Sequence, residues 1–208
     1  MTEKRSKKSQ ALRERLIDAA WRRIATVGLS GLTARELAAE ANCALGSIYS
    51  AFDDLDQLAM YANLKSLGML ERCLVAAKTG RTGADALRSL GCAYARFAIE
   101  NRLAWEALFD LRLLHPQPAS ADFVDAHSHL LSLITDALRE IPVDTTPQDL
   151  SARSRTYFAA VHGIVSISLQ GRFVGHPPER LEAEIDAFVT LLADGLAAEA
   201  GSARSPQQ

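Results

Sequence analysis

Residues 33 to 58 read Thr-Ala-Arg-Glu-Leu-Ala-Ala-Glu-Ala-Asn-Cys-Ala-Leu-Gly-Ser-Ile-Tyr-Ser-Ala-Phe-Asp-Asp-Leu-Asp-Gln-Leu. Thr33 and Glu36 have the S/T-x-x-E spacing of a capping box, in which the Thr hydroxyl meets an orphan N–H and the Glu side chain reaches back, so a helix begins near Thr33. It carries Leu37, Ala38 and Ala41 toward a core, and Asn42, tolerant of left-handed backbone, ends it before Ala44. The next helix, about Ala44 to Ser50, is barely two turns long and has little to bury except Ile48 and Phe52. So short a helix is presented rather than used as a core, and its small residues suit close approach to a duplex, whose major groove admits a helix. The stretch reads as a helix, a tight turn and a second helix that reads DNA.

Outward from this element the periodicity is helical nearly throughout, and no alternating strand pattern persists, so the fold class is all-α. Leu12, Leu16, Ala20 and Ile24 form an i, i+4 ladder on a first helix that stops at Gly28. Asp54 and Gln57 cap a long fourth helix with Leu58, Leu67, Leu70 and Leu74 facing inward, running to about Lys78 and broken by Thr79-Gly-Arg-Thr-Gly. Further helices are expected over 84–100, 102–114, 121–140, 148–173 and 179–199. The resulting organisation is a basic arm over 1–8, a helix-turn-helix domain over 9–70, a C-terminal domain over 80–200 and a disordered tail over 201–208.

Charge supports the same division. The formal net charge is −2, yet residues 1 to 50 hold nine Lys or Arg against five Asp or Glu, and the rest of the chain holds 14 against 20. The surplus, which includes Lys4, Arg5, Lys7 and Lys8, sits beside the helix-turn-helix, where attraction to phosphates is needed. The N-terminus lacks the apolar run of a signal peptide, and no stretch of 18 apolar residues could span a bilayer, which points to a cytoplasmic protein with no membrane partner. Cys43, Cys73 and Cys92 are odd in number and widely spaced, and read as buried thiols rather than a disulfide or zinc framework.

Thr33, Arg35, Glu36, Leu37 and Ala38, then Gly46, Ser47, Ile48, Tyr49 and Phe52, then Leu58, resemble the N-terminal domain of the TetR/AcrR family of bacterial transcriptional regulators. The likeness extends back through Arg15-Leu-Ile-Asp-Ala-Ala-Trp and Gly28-Leu-Ser-Gly-Leu-Thr. Two positions depart from it, Leu45 and Leu55, where the family frequently carries Lys; this implies two fewer phosphate contacts. On the resemblance, Thr33, Arg35, Ala44, Leu45, Gly46, Ser47, Tyr49 and Ser50 are the expected contacts to a palindromic double-stranded operator, bound by a homodimer. The run Val161-His-Gly-Ile-Val-Ser-Ile-Ser-Leu-Gln-Gly-Arg resembles a C-terminal subtype of the family named for Trp-His-Gly. Gly163 would let two helices approach closely.

The family typically encloses a small apolar or amphipathic effector among helices four to eight. Tyr94, Phe97, Trp105, Phe109, His127, Tyr157, Phe158 and His162 are the candidate lining, although aromatics at helical spacing are core residues first. Tyr94, His127, Tyr157 and His162 are the polar groups available to orient it. The last two helices carry Val165, Leu169, Leu181, Ile185, Phe188 and Leu192, the expected dimer interface. No nucleophile elbow, P-loop or dinucleotide fingerprint is present, and the scattered histidines form no metal signature, so neither an enzyme, a cofactor nor a metal is expected. The rival reading is a helical ligand-binding or interaction module that keeps the helix-turn-helix shell without operator binding. The favoured one is a repressor released from its operator by a small molecule.

Overall fold

Leu16, Ala20 and Ile24 are at most 1 % exposed, and Leu12 is half-buried, because a four-residue spacing stacks all four on one helical face. The computed structural model describes residues 2–110, 113, 121–141 and 145–203. The ladder lies on α1 (Thr2–Val27), which Gly28 ends with a φ of 76° and a 3-10 turn, Leu29–Gly31, follows. There is no separate arm over the described part of 1–8, since its backbone continues α1. Then come α2 (Ala34–Glu40), α3 (Leu45–Ala51), α4 (Leu55–Lys78), α5 (Gly83–Glu100), α6 (Arg102–Leu108), α7 (Ala121–Arg139), α8 (Pro147–Leu169) and α9 (Pro178–Ala203). Among the described residues these are all helices and there is no strand, so the protein is all-α.

The helix ends have local causes. Gln57 N donates to Asp54 Oδ1 at 2.7 Å, and Gln57 Oε1 accepts from Asp53 N at 2.9 Å, so orphan N–H groups at the start of α4 are met reciprocally. Thr146 caps α8 by accepting from Asp149 N at 3.2 Å, with Pro147 in the first turn. α8 stops four residues short of the expected 173. Gly171, at φ 65°, donates to Ser168 O while Arg172 N reaches Ile167 O, a Schellman closure that throws Phe173 off the helix and into solvent. α6 stops at Leu108 rather than 114, because Phe109 leaves helical geometry at φ −116°, ψ 12°, with its N–H on Glu106 O; positions 111, 112 and 114 lie outside the described residues. α9 runs on through 201–203, where the composition predicts a disordered tail; 204–208 are not described.

The chain forms two compact units, residues 1–69 with 101–124 and residues 70–100 with 125–208. The domain expected over 9–70 thus gains α6. Ala107 is 2 % exposed within the core of α1 to α4, and its carbonyl accepts a buried bond of 2.8 Å from Asn63 Nδ2. In the second unit α5 packs against α8 and α9. Gly91 on α5 makes this possible, for a Cβ there would lie 2.9 Å from Tyr157 Oη and 3.0 Å from Ile185 Cγ2.

Candidate nucleic-acid interface

α3 is held from below and exposed above. Ile48 at 0 % and Phe52 at 2 % exposure anchor it in the core, whereas Leu45 is 51 % and Tyr49 55 % exposed on the other side. The turn that aims it is closed by Asn42, in the left-handed region at φ 49°, whose N–H meets Ala39 O while Cys43 N–H meets Ala38 O. An asparagine tolerates this conformation where a branched residue would be strained.

Thr33 caps α2, its Oγ1 accepting from Glu36 N at 3.4 Å. The reciprocal half of the expected capping box is different. Glu36 turns its carboxylate to the Thr33 hydroxyl at 2.9 Å and to Arg23 at 2.6 Å, not to the Thr33 backbone. The arginines of α1 are largely occupied in the same way: Arg22 pairs with Glu40 at 2.7 Å, Arg15 Nε donates to Ala41 O at 3.4 Å, and Arg13 donates to Ala51 O at 2.5 Å. The Arg13 guanidinium also lies 4.1 Å from the Phe52 ring centroid and 4.3 Å from that of Tyr61. Part of the basic surplus therefore also orients the reading helices, with Arg15 and Arg22 still exposed to solvent. Arg13 was missed from sequence, because its place beside the buried Leu12 ladder gives no sign that it stacks on a residue 39 positions away.

Thr33, Arg35, Ala44, Leu45, Gly46, Tyr49 and Ser50 are all exposed and Ser47 is half-buried, and all eight lie on the starts or outer faces of α2 and α3. Ser50 Oγ donates to Gly46 O at 3.0 Å and so offers only its lone pairs outward. Leu55, where the resemblance leads one to expect a cation, is half-buried against the core of this unit and is a packing residue. Leu45 is the apolar group left on the surface of α3.

The candidate effector residues fall into both units. Trp105 and Phe109 belong to the first, with ring centroids 5.5 Å apart. Tyr94, Phe97, His127, Tyr157, Phe158 and His162 belong to the second. There Tyr94 Oη and His162 Nδ1 share a hydrogen bond of 2.8 Å, Phe158 stacks on the His162 ring at 5.5 Å, and Tyr94 meets Phe158 edge-on at 5.9 Å. Burial pulls His162 below the ordinary histidine value, which favours the neutral ring at pH 7. Tyr157 is 3 % exposed, and its hydroxyl donates to Leu87 O at 2.5 Å, so its proton is committed within the chain. Burial also pushes its pKa far above the ordinary tyrosine value, so it stays protonated. Phe97, at 2 % exposure, is a core residue of α5; His127 is half-buried on α7.

Four expected interface residues face inward. Val165, Leu169, Leu181 and Ile185 are 0 to 6 % exposed within the chain itself, because α8 and α9 turn these positions toward α5. Phe188 and Leu192 are half-buried. The outward faces instead carry Ala159, Gly163 and Ile167 on α8, and Ala187, Leu191 and Gly195 on α9, each set at i, i+4 spacing. A Cβ added at Gly163 or Gly195 would meet nothing within 4 Å among the described residues, so the close packing expected of Gly163 is not made by them. The thiols also differ from expectation: Cys73 is exposed, while Cys43 and Cys92 are half-buried.

Among the described residues no helix is long and apolar enough to cross a membrane. No curated protein matches the chain. Solved structures do, and establish the fold. A protein of unknown function from Rhodococcus sp. RHA1 superposes with a TM-score of 0.70 at 23% identity, over 89% of this chain and 95% of that one. A transcriptional regulator from the same organism gives 0.64 at 22%, over 89% and 97%. The TetR family transcriptional regulator PfmR from Thermus thermophilus gives 0.62 at 16%, over 94% and 97%. Residues 16–61 match the bacterial regulatory proteins of the tetR family, and residues 87–192 match the tetracyclin repressor-like C-terminal domain. With both halves of its sequence matched and its reading helix presented to solvent, the chain belongs to the TetR family and is a DNA-binding transcriptional regulator.

Proposed function

We propose that the protein is a cytoplasmic repressor that binds a palindromic operator as a homodimer and releases it when a small apolar or amphipathic molecule binds the helical C-terminal part. The observation that carries the DNA reading is α3, a seven-residue helix anchored by Ile48 and Phe52 with Leu45 and Tyr49 turned outward. Thr33 and Tyr49 hold phosphates, and Arg35 reaches a phosphate or a base. Ser47 with the Ala44–Leu45 surface meets base edges, where an exposed leucine favours thymine methyl groups. Selection of bound sequences from random DNA tests this, the expected product being a palindrome whose retention falls steeply with salt.

Tyr49→Phe removes one hydroxyl from the exposed face without touching the core. It should weaken binding by about 1 kcal/mol on every sequence alike, the usual size of one hydrogen bond. Unchanged affinity for Tyr49→Phe and Arg35→Ala combined, measured by titration of the selected DNA, rejects this footprint.

The dimer reading is supported by the two glycines with open space beside them. Each mid-helix glycine costs about 1 kcal/mol relative to alanine, and close approach of a second copy offsets that cost. The effector reading is supported by the Tyr94, Phe158 and His162 cluster, where a neutral imidazole and two aromatic rings suit a planar, weakly polar molecule. Binding there should lower operator affinity by about 1 to 3 kcal/mol, and saturating operator must weaken the effector by the same factor. An effector whose affinity does not respond to operator rules out release by that molecule.

A further inference from the structure

In the second unit α7 and α8 meet at a pair of hydroxyls, Thr135 Oγ1 and Ser154 Oγ, which lie 2.8 Å apart. Thr135 Oγ1 is also 3.0 Å from Leu131 O, and Ser154 Oγ is 2.8 Å from Leu150 O, in each case the carbonyl one turn back. Two protons serve three contacts, so both are spent inside the chain and the oxygens have only lone pairs left to offer. They form the floor of a groove of about 270 Å³ that is open to solvent. Apart from Leu131, its described lining is polar or charged, whereas most small-molecule pockets are apolar. None of that lining belongs to the Tyr94, Phe158 and His162 cluster. The rim is cationic. Arg139 spends one N–H on Asp136 at 2.7 Å, and that carboxylate is also 3.8 Å from Lys78 Nζ. Arg155 is exposed and makes no ion pair among the described residues. Ser151, one turn before it, places a half-buried hydroxyl on the same face of α8.

We propose that this groove is a binding site for a small hydroxylated carboxylate, the chemistry of a sugar acid. Charge selects the head group. The lining holds two guanidiniums against one carboxylate, a surplus of one positive charge, which a single carboxylate neutralises and a phosphate, carrying roughly two negative charges at pH 7, exceeds. A guanidinium fork also takes a carboxylate through two parallel N–H bonds. The floor selects the rest of the ligand: oxygens whose protons are spent can only accept, so the ligand must bring O–H groups of its own. A hydrocarbon acid leaves the floor without a donor, and an uncharged polyol leaves the guanidiniums unanswered. The site is independent of the effector reading above, and binding in it is measured without operator.

Gluconate, hexanoate and sorbitol share a six-carbon chain and differ in whether they offer hydroxyls, a carboxylate or both. Each is titrated at millimolar concentration into the full chain, with the backbone amide resonances of Thr135, Ser151 and Arg155 as the readout. Gluconate should bind about tenfold more tightly than hexanoate or sorbitol. Arg155→Gln, an exchange on an exposed side chain, should weaken gluconate about tenfold and leave sorbitol unchanged. Arg180→Gln removes the same charge at the start of α9, where Arg180 pairs with Glu184, and should leave gluconate binding as it is. Equal weakening by the two variants means attraction to the surface as a whole and overturns the proposal. So does gluconate that binds no more tightly than hexanoate or sorbitol. Displacement of gluconate by equimolar inorganic phosphate overturns the carboxylate assignment.

Discussion

Leu191→Arg should give a chain that folds normally, sediments as a monomer and loses palindromic DNA by about 100-fold or more, since specific recognition depends on two linked heads. Leu191 is 72 % exposed, so the substitution disturbs no packing inside the chain. In a two-fold interface the same patch serves both copies, and each added guanidinium is desolvated without a partner, a cost of several kcal/mol counted twice. Residue 191 lies far along the sequence from α3 and in the other compact unit, so lost DNA binding would report lost association. Leu181→Asp and Ile185→Asp are not equivalent tests. Those side chains are 0 % exposed in the chain itself, and a charge there prevents folding whether or not a dimer exists. A Leu191→Arg protein that remains dimeric at micromolar concentration, with palindrome affinity intact, places the interface elsewhere.

The inversion on α8 and α9 shows where periodicity stops being informative. α9 is apolar on two faces: Leu181, Ile185 and Val189 recur at four residues, and so do Ala187, Leu191 and Gly195, with four-residue steps that a sequence cannot rank by destination. The larger side chains went inward against α5, as burial of area favours, and the smaller set was left outside. Around α2 and α3 no such ambiguity exists, because only one face is apolar and each end carries a residue with a single best role. Thr33 caps, Asn42 takes the left-handed turn, and Ile48 and Phe52 are the large buried anchors. Which positions of α2 and α3 are buried and which are exposed was therefore legible from spacing.

Long-range pairings were not legible. That α6 joins the first unit rests on its packing against α1 and on the bond from Asn63 to Ala107, 44 residues apart. That Tyr157 is a structural hydroxyl depends on Leu87, 70 residues away. No local pattern encodes either, because each pairing joins residues far apart in the sequence.

Arg13→Ala should lower stability by about 2 to 3 kcal/mol, from one charged hydrogen bond and two cation–π contacts on a half-buried side chain. The guanidinium closes the end of α3: it donates to Ala51 O and lies over both the Phe52 and Tyr61 rings. A positive charge at a helix C-terminus is favourable in its own right. A helix of two turns has almost no stability alone, so loosening this clamp frays the reading element first and should weaken operator binding even where the rest of the unit stays folded. Arg13→Lys separates a clamp from a phosphate contact. If Arg13 acts through its charge on DNA, lysine restores operator affinity and its salt dependence. If it acts as a clamp, lysine recovers little, because an ammonium has no flat face to lie against an aromatic ring and no fork to reach a carbonyl at the same time. Urea unfolding of both variants, set beside operator titration, decides between them. An Arg13→Ala midpoint equal to the parent's would show that α3 is held by Ile48 and Phe52 alone.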